Sequence, residues 1–95
     1  MKRESMQDWE RQRRSMADLG DRVRGLLRKR RYEECEEKIA RAMAEYPHAA
    51  QPHNLMGALM ELEGDHPAAM RHFRAAWALD PAYLPARYNM ERTGS

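Results

Sequence analysis

The sequence predicts an all-α protein built of antiparallel helix pairs, and three observations carry that reading. Apolar residues recur at steps of three, four and seven, the spacing that gathers side chains on one face of a helix. The pattern repeats after 34 residues: Pro47 pairs with Pro81, Ala42 with Ala76, Ile39 with Phe73, Cys35 with Ala69 and Leu26 with Met60. No segment alternates polar and apolar residues at a period of two, so no strand is expected. Self-similarity at a fixed period decides the architecture, because each unit can bury its apolar stripe only against a neighbour.

Within each copy the matched residues form faces. Cys35, Ile39 and Ala42 stand at i, i+4 and i+7, as do Ala69, Phe73 and Ala76. In the second copy His53, Met56 and Met60 give the preceding helix its facing stripe, and Gly57 sits on that stripe where a side chain would hold two helices apart. This copy resembles a tetratricopeptide repeat (TPR), through Met56, Gly57, Met60, Ala69, Phe73, Ala76 and Pro81. The first copy resembles it through Leu19, Leu26, Cys35, Ile39, Ala42 and Pro47, with Arg22 in place of a Leu and Val23 in place of the small Gly. A third begins near Tyr83, places Met90 opposite Met56 and stops after one helix. The resemblance implies a right-handed superhelical solenoid of about two and a half repeats. Its parts are an N-terminal helical extension or cap (1–15), repeat 1 (16–49), repeat 2 (50–83), and a capping helix with a tail (84–95).

Each element has its own signals. Residues 1–4 are expected to fray, and Ser5 is a candidate N-cap with Asp8 three residues on. Met6, Trp9, Met16, Leu19, Val23, Leu26 and Leu27 then predict one helix over 6–29, without an interrupting proline. Gly20 inside it suggests a close packing contact in preference to a hinge, and Trp9 either a cap on the stack, the favoured reading, or an exposed contact for a partner. Lys29 to Arg31 make a turn, and a second helix over 32–46 opens on acidic residues that complement its dipole. Pro47 ends it. A third helix over 50–63 has Pro52 in its first turn and Gly64 as its C-terminal cap. Asp65 caps a fourth, which reaches Leu79, and a fifth spans 83–92 with Pro85 near its start. Trp77, Met70 and Met43 are expected to fill the space between repeats, with a dimer surface as the alternative.

Composition bounds the function. The chain has 95 residues, enough for one domain, with hydrophobic content of 42% and charged content of 34%. A helical repeat accounts for both, since each helix buries a stripe and solvates the rest. No apolar run reaches the roughly 18 residues of a membrane span, and the N-terminus lacks the apolar core of a secretory signal. One cysteine excludes an internal disulfide, so a cytoplasmic location is expected. Charge is partitioned. Residues 1–31 carry eleven Lys and Arg against five Asp and Glu, a balance of +6, whereas residues 32–95 carry six against ten, a balance of −4.

Candidate chemistry is sparse. No His–His or His–Cys pair has the spacing of three or four that would place two zinc ligands together on one helix, and His66 and His72 fall on different faces. No nucleophile constellation or phosphate-binding loop is present in the sequence, so neither catalysis nor a cofactor is expected. Arg11, Arg13, Arg14, Arg22, Arg24, Arg28, Lys29, Arg30 and Arg31 form a basic stretch that could meet phosphates, but Asp18 and Asp21 interrupt it.

The resemblance points instead to a concave groove lined by the first helix of each pair, which in the family grips a peptide or a helix of a partner. By helical spacing the groove side holds Ala17, Gly20, Arg24, Leu27 and Arg28, then Gln51, Asn54, Ala58 and Glu61, then Tyr88 and Arg92. Arg24, Arg28 and Arg92 suit carboxylates, while Gln51 and Asn54 suit an extended backbone. The expectation is a small adaptor or scaffold binding a peptide or helix of another protein, with an acidic or C-terminal carboxylate ligand favoured by these arginines. Self-association into a homodimer is the alternative, and a basic RNA-associated protein a further one.

Overall fold

The computed structural model describes residues 2–94, and within them the protein is entirely helical. Five helices follow one another: α1 (Lys2–Arg28), α2 (Tyr32–Glu45), α3 (Ala50–Leu62), α4 (His66–Leu79) and α5 (Leu84–Gly94). Each packs on its neighbour in the chain, α1 also touches α3, and α3 touches α5. α2 and α4 do not meet. The odd-numbered helices therefore form one row and the even-numbered helices another. α3 touches all four others, which explains why it carries only one charged residue, Glu61.

The turns show the 34-residue period in backbone hydrogen bonds. After α1, Arg31 N–H donates to Leu26 O at 2.9 Å and Arg30 N–H to Leu27 O at 3.0 Å. After α3, Asp65 N–H donates to Met60 O at 2.8 Å and Gly64 N–H to Glu61 O at 3.0 Å. Both pairs are the Schellman closure, which needs a left-handed residue at its centre. Gly64 supplies it at φ +84°, as expected, whereas Arg30 takes the same role at φ 58° with a full side chain. The ends of α2 and α4 match too: Tyr46 bonds Ala42 O at 2.8 Å and Asp80 bonds Ala76 O at 3.0 Å. At the start of α4, Asp65 accepts from Ala68 N–H at 3.1 Å and so caps the helix.

The main core gathers Met16, Leu19, Val23, Cys35, Ile39, Ala49, Met56 and Leu59 from α1, α2, α3 and the α2–α3 turn. Where α3, α4 and α5 converge, Ala50, Ala76 and Ala86 meet as small residues that let the helices approach. A Cβ built on Gly57 would stand 2.5 Å from Cε1 of the fully buried Phe73. Gly57 is thus a notch for that ring, and the α3–α4 contact is more extensive than the α1–α2 contact, where Val23 fills the equivalent place.

Several expectations need correction. α1 is already helical at Lys2, so residues 2–4 do not fray as backbone and Ser5 lies inside the helix rather than capping it; Met1 is outside the described residues. α5 continues to Gly94, leaving only Ser95 of the expected tail, and it too is outside them. The atoms nearest a Cβ at Gly20 would be those of the Arg24 guanidinium, none closer than 3.5 Å, so no close packing requires this glycine. Trp9 caps nothing: it is 59% exposed. Of the three residues expected between repeats, Met43 packs on the core and Met70 is half-buried, while Trp77 remains 40% exposed.

Candidate functional site

α1 has 27 residues and α2 has 14. At 1.5 Å per residue α1 is about 40 Å long and outreaches its partner by nearly half. Its first turns form an arm on which Met6 through Glu10 are all exposed. Ser15 anchors the helix, its Oγ 3.0 Å from the Tyr46 hydroxyl, and Met16 is the first buried residue among those whose side chains are described.

The groove residues named from the sequence do not form one continuous trough. Arg24, Gly20 and Ala17 on α1 and Gln51 on α3 line a cleft of about 330 Å³, together with Met16, Arg13, Leu55 and Tyr83. Ala58, Glu61 and Arg92 line a second hollow at the far end of α3, with Leu62 and His66. Leu27 is half-buried against the core, and Arg28 lines neither recess. Tyr88 stands out on α5 at 65% exposure, with the Arg92 guanidinium 6.0 Å from its ring centroid.

Asn54 is placed differently from expectation. It is buried under α5, where its Oδ1 accepts from Asn89 Nδ2 at 2.9 Å. It is also hydrogen-bonded to the Tyr83 phenol, whose pKa is raised chiefly by burial and pulled back in part by this bond. A buried amide needs such partners, and with them it joins α3 to α5 rather than facing a ligand. Glu61 is engaged as well: Oε2 accepts from Thr93 Oγ1 at 2.9 Å and faces Arg92 Nη2 at 3.4 Å.

In the first cleft two guanidinia are held in place. Arg24 pairs with Asp21 at 2.5 Å, and Arg13 lies over the Trp9 ring at 4.9 Å from its centroid. Sequence reasoning placed Arg13 in a basic run and Trp9 in a cap. Their spacing of four was the available signal that they share a face.

The histidines make one pair the sequence did not suggest. The rings of His53 on α3 and His72 on α4 are 5.9 Å apart between centroids. Burial lowers both pKa values, and for His72 the charges of His53 and Arg71 add to it. His53 Nδ1 is buried with no hydrogen-bond partner among the described residues. No three His, Cys, Asp or Glu side chains among the described residues gather as a metal site would require. Cys35 is fully buried, with its thiol directed at Val23 O at 3.8 Å, and burial, then Glu34, raises its pKa. No described helix is long and apolar enough to cross a membrane. Compared with known proteins, no family model matches the chain, and neither does any curated protein or solved structure.

Proposed function

We propose that the chain is a tetratricopeptide-type helical repeat of about two and a half units, coiled in a right-handed sense. On this reading it works without catalysis as a small cytoplasmic adaptor that binds a peptide or helix of another protein on the face of α1, α3 and α5. The observation that carries this is the doubled helix pair: turn hydrogen bonds recur at an offset of 34, and only the odd-numbered helices make a second row of contacts. Such a row presents a surface on which a partner chain can lie across more than one helix. The cleft at Arg24 and Gln51 supplies the polar groups that would orient it.

The test is selection from a random peptide display library, followed by affinity measurement. Arg24→Gln is expected to weaken selected peptides about tenfold, the worth of one charge-assisted hydrogen bond. Arg74→Gln, exposed on α4, should leave them unchanged. Peptides that ignore Arg24→Gln but respond to Arg74→Gln would place binding on the other face and overturn the reading.

One observation favours self-association as a second reading. Leu84 and Tyr88 occupy on α5 the places of Ala50 and Asn54 on α3, which α5 covers, yet Leu84 is 67% exposed. Light scattering decides it: a mass that stays at 11.2 kDa as concentration rises argues against a dimer through this face.

A further inference from the structure

We infer that the arm of α1 belongs to the ligand site, and that the ligand is an acidic peptide bridging Arg13 and Arg24 while packing an apolar side chain on Trp9. This rests on the groove reading above and adds its ligand chemistry. Trp9, Arg13, Ala17, Gly20 and Arg24 follow one another at steps of four, four, three and four, so they form a single line along α1. The arm's apolar residues, Met6 and Trp9, are unused by the fold. The line passes directly into the cleft that Arg13 and Arg24 share with Gln51 and Leu55.

The site has a defined charge pattern. The Trp9 ring holds one guanidinium at the upper rim and Asp21 holds the other below. Between them Ala17 and Gly20 leave the helix surface low, and the atoms nearest a Cβ added at Gly20 would be those of Arg24. Eleven residues of helix separate the two arginines, about 16 Å at 1.5 Å per residue. An extended peptide covers that in about five residues at 3.3 Å each. Two carboxylates at that spacing complement the two guanidinia, and the Gln51 amide can bond the backbone between them.

A nucleic acid fits less well. Glu10 lies beside Arg13 and Asp21 beside Arg24, and both carboxylates would repel a continuous run of phosphates. A peptide brings only two negative charges to this surface instead of a continuous run.

The probe is a set of fluorescein-labelled synthetic peptides, each with one phenylalanine and two aspartates at graded separations on a glycine–serine backbone, read by fluorescence polarisation. Binding should be tightest when the aspartates are about five residues apart. Arg13→Gln and Arg24→Gln should each weaken it about tenfold, and Trp9→Ala several-fold, with unchanged circular dichroism. Peptides that need Arg24 and Gln51 but ignore Arg13→Gln and Trp9→Ala would overturn the role of the arm and leave the groove reading intact. Failure of every peptide, together with failure of the library selection, would overturn both. Tighter binding of a single-stranded oligouridine at physiological salt would replace the acidic peptide with nucleic acid.

Discussion

Two glycines in this chain should respond to the same substitution with opposite sign. Gly57→Ala and Gly25→Ala each add a methyl inside a helix, and each gains about 1 kcal/mol of helix propensity. At Gly25 the new Cβ has nothing within 4 Å. At Gly57 it would lie 2.5, 2.6 and 3.0 Å from Cε1, Cδ1 and Cζ of Phe73, whose ring is fully buried and has no solvent side to move into. To restore ordinary contact near 3.5 Å, the ring or the α3–α4 separation must give by about 1 Å, and overpacking of that kind costs about 1–3 kcal/mol. Because propensity cancels between the variants, Gly57→Ala should be less stable than Gly25→Ala by about 1–3 kcal/mol, or at least about 4 °C in Tm for a domain of this size. Urea and thermal denaturation followed by far-ultraviolet circular dichroism measure the difference. Phe73→Leu shortens the ring, so its combination with Gly57→Ala should recover part of the loss as a favourable coupling energy. Equal stability of the two alanine variants would refute the notch.

Other positions give further tests. Arg30→Gly should raise stability by about 1 kcal/mol in the same melts, since φ 58° strains any side chain while the Schellman hydrogen bonds use only backbone. His53 and His72 have folded pKa values below the unfolded value of about 6.5, so the unfolded state binds more protons as pH falls. Their neutral forms thus contribute stability that is complete above that value and is lost as pH drops toward the folded pKa values. Tm should fall between about pH 7.5 and 5.5, and His53→Leu with His72→Leu should flatten the profile. Asn54→Ala strands the Asn89 amide and the Tyr83 phenol and should cost about 1–2 kcal/mol in urea unfolding. Cys35 should resist a thiol reagent at pH 8 in native protein and react promptly in urea, because the fold both buries the thiol and raises its pKa.

Residues whose environment is set by their own repeat were legible in the sequence. Cys35 and Ala69, or Ile39 and Phe73, are fully buried in pairs because each faces the companion helix of its unit. Gly64 announced its turn because only glycine reaches φ +84° without strain; the equivalent turn at Lys29 to Arg31 was placed as well, and only its left-handed centre, Arg30, gave no local signal. The candidate site was harder. Asn54 has the spacing of a groove residue, yet its exposure depends on whether another helix lies alongside, and α5 does. The His53–His72 contact joins two helices at a separation that no local spacing rule inspects. Trp9 fell short of a cap because no element reaches the arm, a fact about helix lengths rather than about Trp9 itself.

The two ends of the stack are finished by different means. On α3 the face turned to α4 carries His53, Met56, Gly57 and Met60; at the same offsets α5 carries Arg87, Met90, Glu91 and Gly94. Arg87 and Glu91 approach within 3.6 Å across that face, and Glu91 occupies the place where Gly57 receives the Phe73 ring. A helix seated there as α4 sits on α3 would have to bury an ion pair where the earlier contact buries a ring, and desolvating two charges opposes it. α5 therefore carries an ion pair on this face and leaves Leu84 and Tyr88 exposed on another. At the opposite end α1 runs past its partner and carries Trp9 and Arg13 onward in line with the cleft. An arm that only covered the core would turn its aromatic residue inward; this one holds Arg13 over the Trp9 ring at the edge of the cleft, as the proposed acidic-peptide site requires.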